Sequence, residues 1–229
     1  MLRINKTQLV EMLHLQHKNN LNTIPEYYYK NIPWEEAVVA EAGECLESLS
    51  YKWWKSGKVD IDNVKMELVD IWHFLLSQFI IMTYKNGKYS TIDDKLFDQL
   101  SEHIVSNLTI ITHNLGFTTN RLVCEVVARS VKYDRPSSIT SVFLDAIESV
   151  GMSWDDLVKL YLTKNALNTL RQNHGYKSGT YVKLWKYGTD RVEDNYVVVN
   201  LVSELTNPTF DSVYKTIEEY YLSVGKTED

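Results

Sequence analysis

The sequence predicts an all-α protein, and two observations lead to this prediction. Apolar residues recur at helical spacing along most of the 229-residue chain, and helix start and stop signals separate the periodic segments. The 9 glycines and 4 prolines are too few for a many-stranded sheet, which needs frequent turns. The sequence contains no internal repeat and no low-complexity tract. A chain of this length can bury a substantial core, so we expect a helical bundle that forms a single domain over residues 1–229.

Three helices are predicted in the N-terminal part of the chain. The first is amphipathic and is followed by Pro25, which does not continue a helix. The second ends where Gly57 interrupts the helical pattern. The third opens near Asp62, a good N-cap, and closes at Asn86-Gly87. These helices are predicted over residues 6–22, 34–55 and 62–85.

The rest of the chain is also predicted to be mainly helical. Gly116 closes one helix, and Ser153 opens another that carries two aspartates in its first turn, where negative charge is favourable. Residues 174–195 are aperiodic, rich in Lys and Tyr and punctuated by glycine, so we expect a loop with a short hairpin. The valine triplet at 197–199 is typical of a strand. The helices are predicted over residues 91–115, 119–132, 139–150, 153–173 and 210–222.

Composition and charge exclude several classes of function. The net charge is −6 and the sequence has no dense basic run, so we expect no binding to duplex nucleic acid. The N-terminus lacks the apolar run of a signal peptide, and the most apolar segment, Ile71–Met82, is too short to span a bilayer. Cys45 and Cys124 lie in apolar helical stretches and are interpreted as reduced core residues. We therefore expect a cytoplasmic protein that does not associate with membranes.

Four acidic residues occupy positions where the helical periodicity predicts apolar side chains. At about 100° per residue, Glu41 falls in the middle of the apolar side of the second helix, and Glu44 lies at its margin. The third helix is apolar over almost its whole circumference, and Glu67 and Asp70 both lie next to Phe74 on it. The members of each pair are three positions apart, which puts both side chains on one helix face about 5–6 Å from each other.

Such a cluster of carboxylates predicts a divalent-cation site. A buried ionised carboxylate costs several kcal/mol unless it is paired or binds a metal, and two carboxylates about 4 Å apart repel by roughly 4 kcal/mol. Oxygen ligands are the type that Mg²⁺ prefers, and they also suit Mn²⁺. Two alternatives remain open. The spacing occurs by chance in many helical proteins, and the carboxylates could instead form salt bridges with Lys or Arg.

Three separated motifs resemble the dimeric, all-α dUTP pyrophosphatases (dUTPases). The motifs are EAGECLESLSYKWWK, ELVDIWHF, and KNALNTLRQNHGYKSGTYVKLW followed by EDN. The resemblance extends from Leu13 to about Asn195. It implies a member of the all-α NTP pyrophosphohydrolases, a Mg²⁺-dependent superfamily with the active site between helices. Residues 85–159 carry no matching motif, and we expect them to form a mobile or interface insert.

The resemblance implies an enzyme that hydrolyses dUTP and also dUDP. Family members cut dUTP between the α- and β-phosphates and release dUMP and pyrophosphate. By this analogy Glu41, Glu44, Glu67 and Asp70 hold Mg²⁺, and Glu41 also orients and deprotonates the attacking water. Family members are dimers, and the apolar run Ile71–Met82 likewise suggests a subunit interface, so we expect a homodimer.

The resemblance also implies phosphate-binding residues in the C-terminal part of the chain. Lys164, Asn168 and Arg171 lie on one helix face, at i, i+4 and i+7, and an arginine suits bidentate contact with phosphate oxygens. A solvated basic face is the alternative interpretation of this spacing. Further phosphate contacts are implied for Tyr176, Lys177, Lys183 and Asn195.

Recognition of the base and sugar is implied for five further residues. Gln16 and Asn20 face the uracil edge in this analogy, because an amide offers both a donor and an acceptor; Asn19 competes with Asn20 for the second match. Trp53 lines the pocket, and His73 and Phe74 contact the base or the sugar. For Trp53 and Phe74, ordinary packing in the core is the alternative.

Two other functions remain open at the level of the sequence. A pyrophosphohydrolase of the same fold that prefers dCTP or other deoxynucleoside triphosphates would carry the same acidic cluster. A protein-binding module regulated by the nucleotide would also keep this cluster, although the sequence identifies no regulatory partner. Neither a Walker-type phosphate loop nor a Ser/His/Asp arrangement stands out.

Overall fold

The structure, a computed structural model, describes residues 2–87, 89–108 and 118–224 and confirms the all-α prediction. About 70% of it is helical, and the described residues form one two-stranded sheet. The chain divides into two compact units, Met1–Leu157 and Val158–Asp229, and the division falls within the seventh helix. The helices in the described part are α1 (Lys6–Thr23), α2 (Trp34–Ser48), α3 (Ile61–Asn86), α4 (Asp94–Ser106), α5 (Thr119–Val131), α6 (Pro136–Ser149), α7 (Trp154–Asn173), α8 (Asp194–Ser203) and α9 (Phe210–Val224).

Helix α3 is the central element of the first unit. It packs against α1, α2, α4 and α6, and its apolar residues are buried on almost every side, as its pattern predicts. The indole of Trp72 stacks on the ring of Phe143 in α6, with 4.8 Å between ring centroids. Among the described helices, α3 alone has the length and composition to cross a membrane, but 67% of its apolar stretch of 18 residues is buried within the protein. That burial is typical of the core helix of a soluble protein.

Replacement of Trp72 by alanine is expected to lower the free energy of unfolding by about 3–5 kcal/mol, because it leaves a large cavity at the α3–α6 contact. Trp72 is completely buried, whereas Trp54 is 62% exposed. Trp54→Ala is therefore the matched control, with an expected change within about 0.5 kcal/mol. Urea unfolding followed by far-UV circular dichroism measures both values. Equal effects of the two substitutions would contradict the central position of α3.

Helix α2 ends at Ser48, seven residues before the predicted end at Lys55. Ser50 adopts a left-handed conformation, with a φ of 54°. The amide of Tyr51 donates to the carbonyl oxygen of Leu46 at 3.2 Å, and the amide of Ser50 donates to that of Glu47 at 2.9 Å. This pair of bonds is a Schellman motif, which ends helices at a left-handed residue. The prediction was wrong here because the motif is usually marked by glycine, and a serine takes that position.

Two other predicted elements differ from the structure. The helix predicted over 91–115 ends at Ser106, where the side-chain amide of Asn107 donates to the carbonyl oxygen of His103 at 2.9 Å; residues 109–117 lie outside the described residues. The strand predicted at the valine triplet 197–199 is wrong, because these residues belong to α8. Val197, Val198 and Val202 form the buried face of that helix, so helical packing outweighs the strand preference of valine.

The two cysteines are both free thiols, but they lie in different environments. Cys45 is buried, as predicted, and burial together with the negative charge of Glu67 raises the pKa of its thiol to about 12. Cys124 is exposed. Its prediction as a core residue was wrong, because it lies on the outer face of α5, opposite the buried residues Leu122, Val123 and Val126.

The second unit contains most of α7, the hairpin, α8 and α9. Strands β1 (Leu184–Tyr187) and β2 (Asp190–Glu193) pair in antiparallel register and confirm the predicted hairpin. Gly188 in the two-residue turn has a φ of 61°, a conformation that glycine adopts at no steric cost. The completely buried indole of Trp185 packs against the ring of Tyr221 in α9, 5.4 Å away. The hydroxyl of Tyr220 in α9 also donates to the carbonyl oxygen of Lys186 at 2.7 Å. The hairpin is thus fixed to α9 by ring packing and by a hydrogen bond.

Candidate active site

Three of the four predicted metal ligands come together where α2 packs on α3. Glu41 of α2 and Glu67 and Asp70 of α3 each offer a carboxylate oxygen, and these oxygens all lie within 4.8 Å of one another. Glu67 is 9% exposed, and the other two side chains are half-buried. At such separations each pair of carboxylates repels by roughly 3–4 kcal/mol at an effective dielectric of about 20. A divalent cation would relieve this repulsion, and the donor set consists of oxygen atoms, as Mg²⁺ and Mn²⁺ require.

Glu44 is not part of this group. It lies on α2 one turn after Glu41, and its side chain is exposed. Glu44 lies three positions after Glu41 and therefore on the same side of α2. Its role as a fourth ligand stays a prediction. The cluster therefore consists of one carboxylate from α2 and two from α3.

Asn63 orients the carboxylate of Glu67 and was not identified from the sequence. Its Nδ2 atom donates to Oε1 of Glu67 at 3.1 Å and to Oγ of Ser48 at 2.7 Å. The backbone amide of Asn63 in turn donates to Oδ1 of Asp60, the N-cap of α3, at 3.1 Å. The i, i+4 spacing of Asn63 and Glu67 was the available signal. These bonds tie the first turn of α3 to the last turn of α2.

A buried polar cluster on α1 and α3 contains three of the residues predicted to recognise the base. Nε2 of Gln16 donates to Oδ1 of Asn20 and to Oγ of Ser77, both at 2.9 Å. Nδ2 of Asn20 donates to the same hydroxyl at 3.0 Å. Nδ1 of His73 lies 2.7 Å from Oε1 of Gln16 and carries the proton in this arrangement, because an amide oxygen only accepts. The cluster joins Gln16 to Asn20, the residue that competed with Asn19 for this match.

Ser77 is the residue of this cluster that the sequence did not identify. It is completely buried, and its hydroxyl donates to the carbonyl oxygen of His73 at 3.0 Å while it accepts from both amides. A serine inside an apolar helix has no functional signature by itself, so only the fold reveals this role. Ser77 fixes the orientation of both amide groups.

Trp53 and Phe74 lie in contrasting surroundings. Trp53 is 89% exposed in the loop between α2 and α3, so it is not packed in the core. Phe74 packs against the apolar cluster of Tyr27, Trp34 and Ile81, with 6.4 Å between its ring centroid and that of Trp34. Packing accounts for Phe74, while Trp53 is available on the surface.

The predicted phosphate-binding residues lie in the second unit, where Arg171 is held in a defined orientation. Its guanidinium forms a bidentate ion pair with Asp194, with distances of 2.9 Å from Nε to Oδ2 and 2.7 Å from Nη2 to Oδ1. Nη2 also lies 3.3 Å from Oδ1 of Asn195, and Nη1 lies 3.4 Å from Oδ1 of Asn168. Burial disfavours the charged guanidinium, but the hydrogen bonds and the charge of Asp194 outweigh it and raise the pKa of Arg171.

The other predicted phosphate ligands vary in exposure. Lys164 is 9% exposed within α7, which argues against a solvated basic face. Lys177 and Lys183 are exposed, and Nζ of Lys183 lies 3.4 Å from a carboxylate oxygen of Glu193. Tyr176 is also exposed, and its ring lies 5.8 Å from the guanidinium carbon of Arg171. The structure therefore groups Arg171 with Asn168, Tyr176 and Asn195.

Comparison with known proteins gave one family. A family model described as dUTPase matches residues 6–176, which is more than half of the chain. The match includes all the acidic and base-recognition residues named above and runs through the segment 85–159. It ends at Tyr176, so Lys177, Lys183 and Asn195 lie beyond it. No curated protein matches the chain.

Proposed function

Since this chain belongs to the all-α dimeric dUTPase family and is accordingly a dUTP diphosphatase, we propose that it hydrolyses dUTP to dUMP and pyrophosphate with Mg²⁺ at the Glu41–Glu67–Asp70 cluster. The observation that carries this proposal is the convergence of three carboxylates within 4.8 Å of one another. Glu44 is proposed as the fourth ligand. Mn²⁺ would suit the same oxygen donors.

The carboxylates have two roles in the proposed reaction. Mg²⁺ bound to them would neutralise charge on the phosphate oxygens as the pyrophosphate group leaves. Glu41 accepts a proton from the attacking water, whose oxygen forms a bond to the α-phosphorus while the bond from that phosphorus to the pyrophosphate oxygen breaks. Asn63 holds Glu67 in place through its 3.1 Å hydrogen bond. The same chemistry would convert dUDP to dUMP and phosphate.

The remaining residues are proposed to bind the substrate. Phosphate contacts are assigned to Arg171 and Asn168, with Lys164, Tyr176, Lys177, Lys183 and Asn195. The buried amides of Gln16 and Asn20 are assigned to the uracil edge, and His73 is assigned to the base or the sugar. Trp53 is proposed to cover the base, since it is exposed, and Phe74 to limit the space at the sugar.

We also propose that the protein acts in the cytoplasm as a homodimer, as is typical of the family. The apolarity of Ile71–Met82 does not support this by itself, because most of these side chains are buried in the core of the first unit. The helices of the segment 85–159 are a candidate for the dimer contact. The single catalytic domain expected from the sequence likewise stays a proposal.

Rates of pyrophosphate release from dUTP, dCTP, dTTP and UTP, with and without Mg²⁺, test the proposed function. We expect the rate with dUTP to exceed the others by at least about tenfold. The hydrogen-bonding edge of the base distinguishes dUTP from dCTP, the 5-methyl group distinguishes it from dTTP, and the 2′-hydroxyl distinguishes it from UTP; a site that excludes one such group discriminates by about tenfold or more. Chelation with EDTA should remove the activity, and Mn²⁺ should restore part of it. Equal rates for dUTP and dTTP would contradict the base preference. A higher rate for dCTP would favour the alternative pyrophosphohydrolase of the same fold.

A further inference from the structure

Asp194 is the most completely enclosed carboxylate in the described part of the second unit. Its side chain has no exposed surface, yet it accepts four hydrogen bonds. Two come from Nε and Nη2 of Arg171, one from the hydroxyl of Tyr181 at 2.8 Å, and one from the amide of Asn195 at 2.8 Å. A buried carboxylate is stable in ionised form only with such charge-assisted partners.

The backbone around Asp194 is held in place by the hairpin. Asp194 directly follows β2 and is the first residue of α8, and its amide donates to the carbonyl oxygen of Lys183 at 2.9 Å. Tyr181 is fixed as well, since its ring stacks on that of Tyr221 in α9 with 5.2 Å between centroids. Arg171 of α7, the hairpin, and Tyr181 packed on α9 therefore all hold the carboxylate of Asp194 in place in the absence of substrate.

This arrangement determines which edge of the guanidinium is presented. Nε and Nη2 of Arg171 are engaged by Asp194, whereas Nη1 makes a longer contact, 3.4 Å, with Asn168. The guanidinium group has five N–H donors in a rigid plane, so fixing one edge sets the direction of the opposite edge. The Nη1 edge lies on the side of Asn168, the other residue assigned to phosphate.

We infer that Asp194 is a positioning residue that holds Arg171 with its Nη1 edge directed at a phosphate oxygen of the substrate. The inference rests on the proposed phosphate-binding role of Arg171 and extends it. Because Asp194 lies beyond residue 176, where the family match ends, the inference gives this C-terminal segment a part in substrate binding. The inference implies that the ion pair between Arg171 and Asp194 persists when the substrate binds, because the pair is already formed in the absence of substrate.

The variant Asp194→Asn tests the inference. It keeps the size of the side chain but removes the charge and one acceptor, so the guanidinium becomes free to rotate. We expect KM for dUTP to rise by at least about tenfold, with a much smaller change in kcat and an unchanged affinity for 2′-deoxyuridine, which has no phosphate. Asp194→Glu, which keeps the charge but displaces the carboxylate, should also raise KM.

Tyr181→Phe is the matched control. It removes one hydrogen bond from the same carboxylate but leaves the ion pair with Arg171 intact. A merely structural role for Asp194 predicts that this variant and Asp194→Asn change thermal stability and KM in parallel. The positioning role predicts that Tyr181→Phe lowers the melting temperature and leaves KM within about twofold of the wild-type value.

A measurement on the unaltered protein covers the case in which the Asp194 variants do not fold. The Nε–H signal of Arg171, assigned by its loss in Arg171→Lys, is followed by ¹H–¹⁵N NMR while inorganic tripolyphosphate is added. We expect this signal to keep its shift and its slow exchange with water. Movement of the signal to the position of a solvated arginine would overturn the inference, because the guanidinium would then leave Asp194 on binding.

The results separate the inference from the proposed function. If the wild-type protein does not hydrolyse dUTP with Mg²⁺, the proposed function fails. If it does, but Arg171→Ala leaves KM unchanged, the phosphate role of Arg171 fails and the inference fails with it. If Arg171→Ala raises KM and both Asp194 variants leave it unchanged, the inference alone is overturned.

Discussion

Replacement of Glu67 by glutamine is expected to lower kcat/KM for dUTP with Mg²⁺ by more than about 100-fold, since loss of groups that only support a metal ligand already costs 10–100-fold. Glu67 is the most buried of the three clustered carboxylates. Glutamine has the same shape and keeps an oxygen that can accept from Asn63. The substitution therefore removes a negative charge and one ligand oxygen without opening a cavity. Initial rates of pyrophosphate release at several Mg²⁺ concentrations measure the effect.

Glu47→Gln is the control for this experiment. Glu47 also lies on α2, but its side chain is 56% exposed and pairs with Lys52. Since exposed ion pairs contribute little, we expect this variant to retain its activity. Circular dichroism should give the same helix content for both variants and the wild type. Near-normal turnover of Glu67→Gln at low Mg²⁺ would exclude the cluster as the metal site.

Addition of Mg²⁺ to the substrate-free protein is expected to raise its melting temperature by about 5–10 °C. A ligand that binds only the folded state stabilises it by about 2.7 kcal/mol at a concentration of 100 times its Kd, and a protein of this size gains about 2–4 °C per kcal/mol. The physical source is the repulsion among the three carboxylates, which a divalent cation removes. In Glu67→Gln the repulsion is already smaller, so we expect the metal-free variant to be at least as stable as the metal-free wild type.

Differential scanning fluorimetry with increasing MgCl₂ measures this stabilisation. NaCl at equal ionic strength is the control, because general screening also weakens repulsion between exposed charges. The Mg²⁺-dependent part of the shift should disappear in Glu67→Gln. A shift of the same size in NaCl, or in the variant, would indicate screening rather than binding at this cluster.

The sequence predicted much of the acidic cluster because helical periodicity is a local property. Glu41 and Glu67 fall on apolar faces of their helices, and the packing of α2 on α3 buries those faces against each other. Glu44 lies at the margin of its face, where a small rotation of the helix decides between burial and exposure. The structure leaves it exposed. Periodicity therefore identifies residues at the centre of a helix face more securely than those at its edge.

The positioning residues could not be found in the same way. Asp194 is 23 positions from Arg171 in sequence, and Ser77 is 61 positions from Gln16. Neither residue has a sequence spacing that predicts its partner, because the contact exists only after the chain has folded. Asn63 lies four positions from Glu67, and it could have been recognised from helical spacing. The end of α2 depends on the left-handed conformation of Ser50, which the sequence indicates only weakly because glycine is the residue usually found there.

The hydrogen bonds between α2 and α3 bear on whether nucleotide selectivity and the rate of hydrolysis can be changed separately. Ser48 accepts from the amide of Asp60 at 2.9 Å and, through Oγ, from Asn63 at 2.7 Å. The loop that carries Trp53 is thus closed at its base by hydrogen bonds between the end of α2 and the start of α3. We therefore expect residues 52–59 to tolerate replacement by other loop sequences. If Trp53 covers the base and the carboxylates of α2 and α3 hold the metal, as proposed, substitutions in this loop should change nucleotide selectivity more than the rate of hydrolysis.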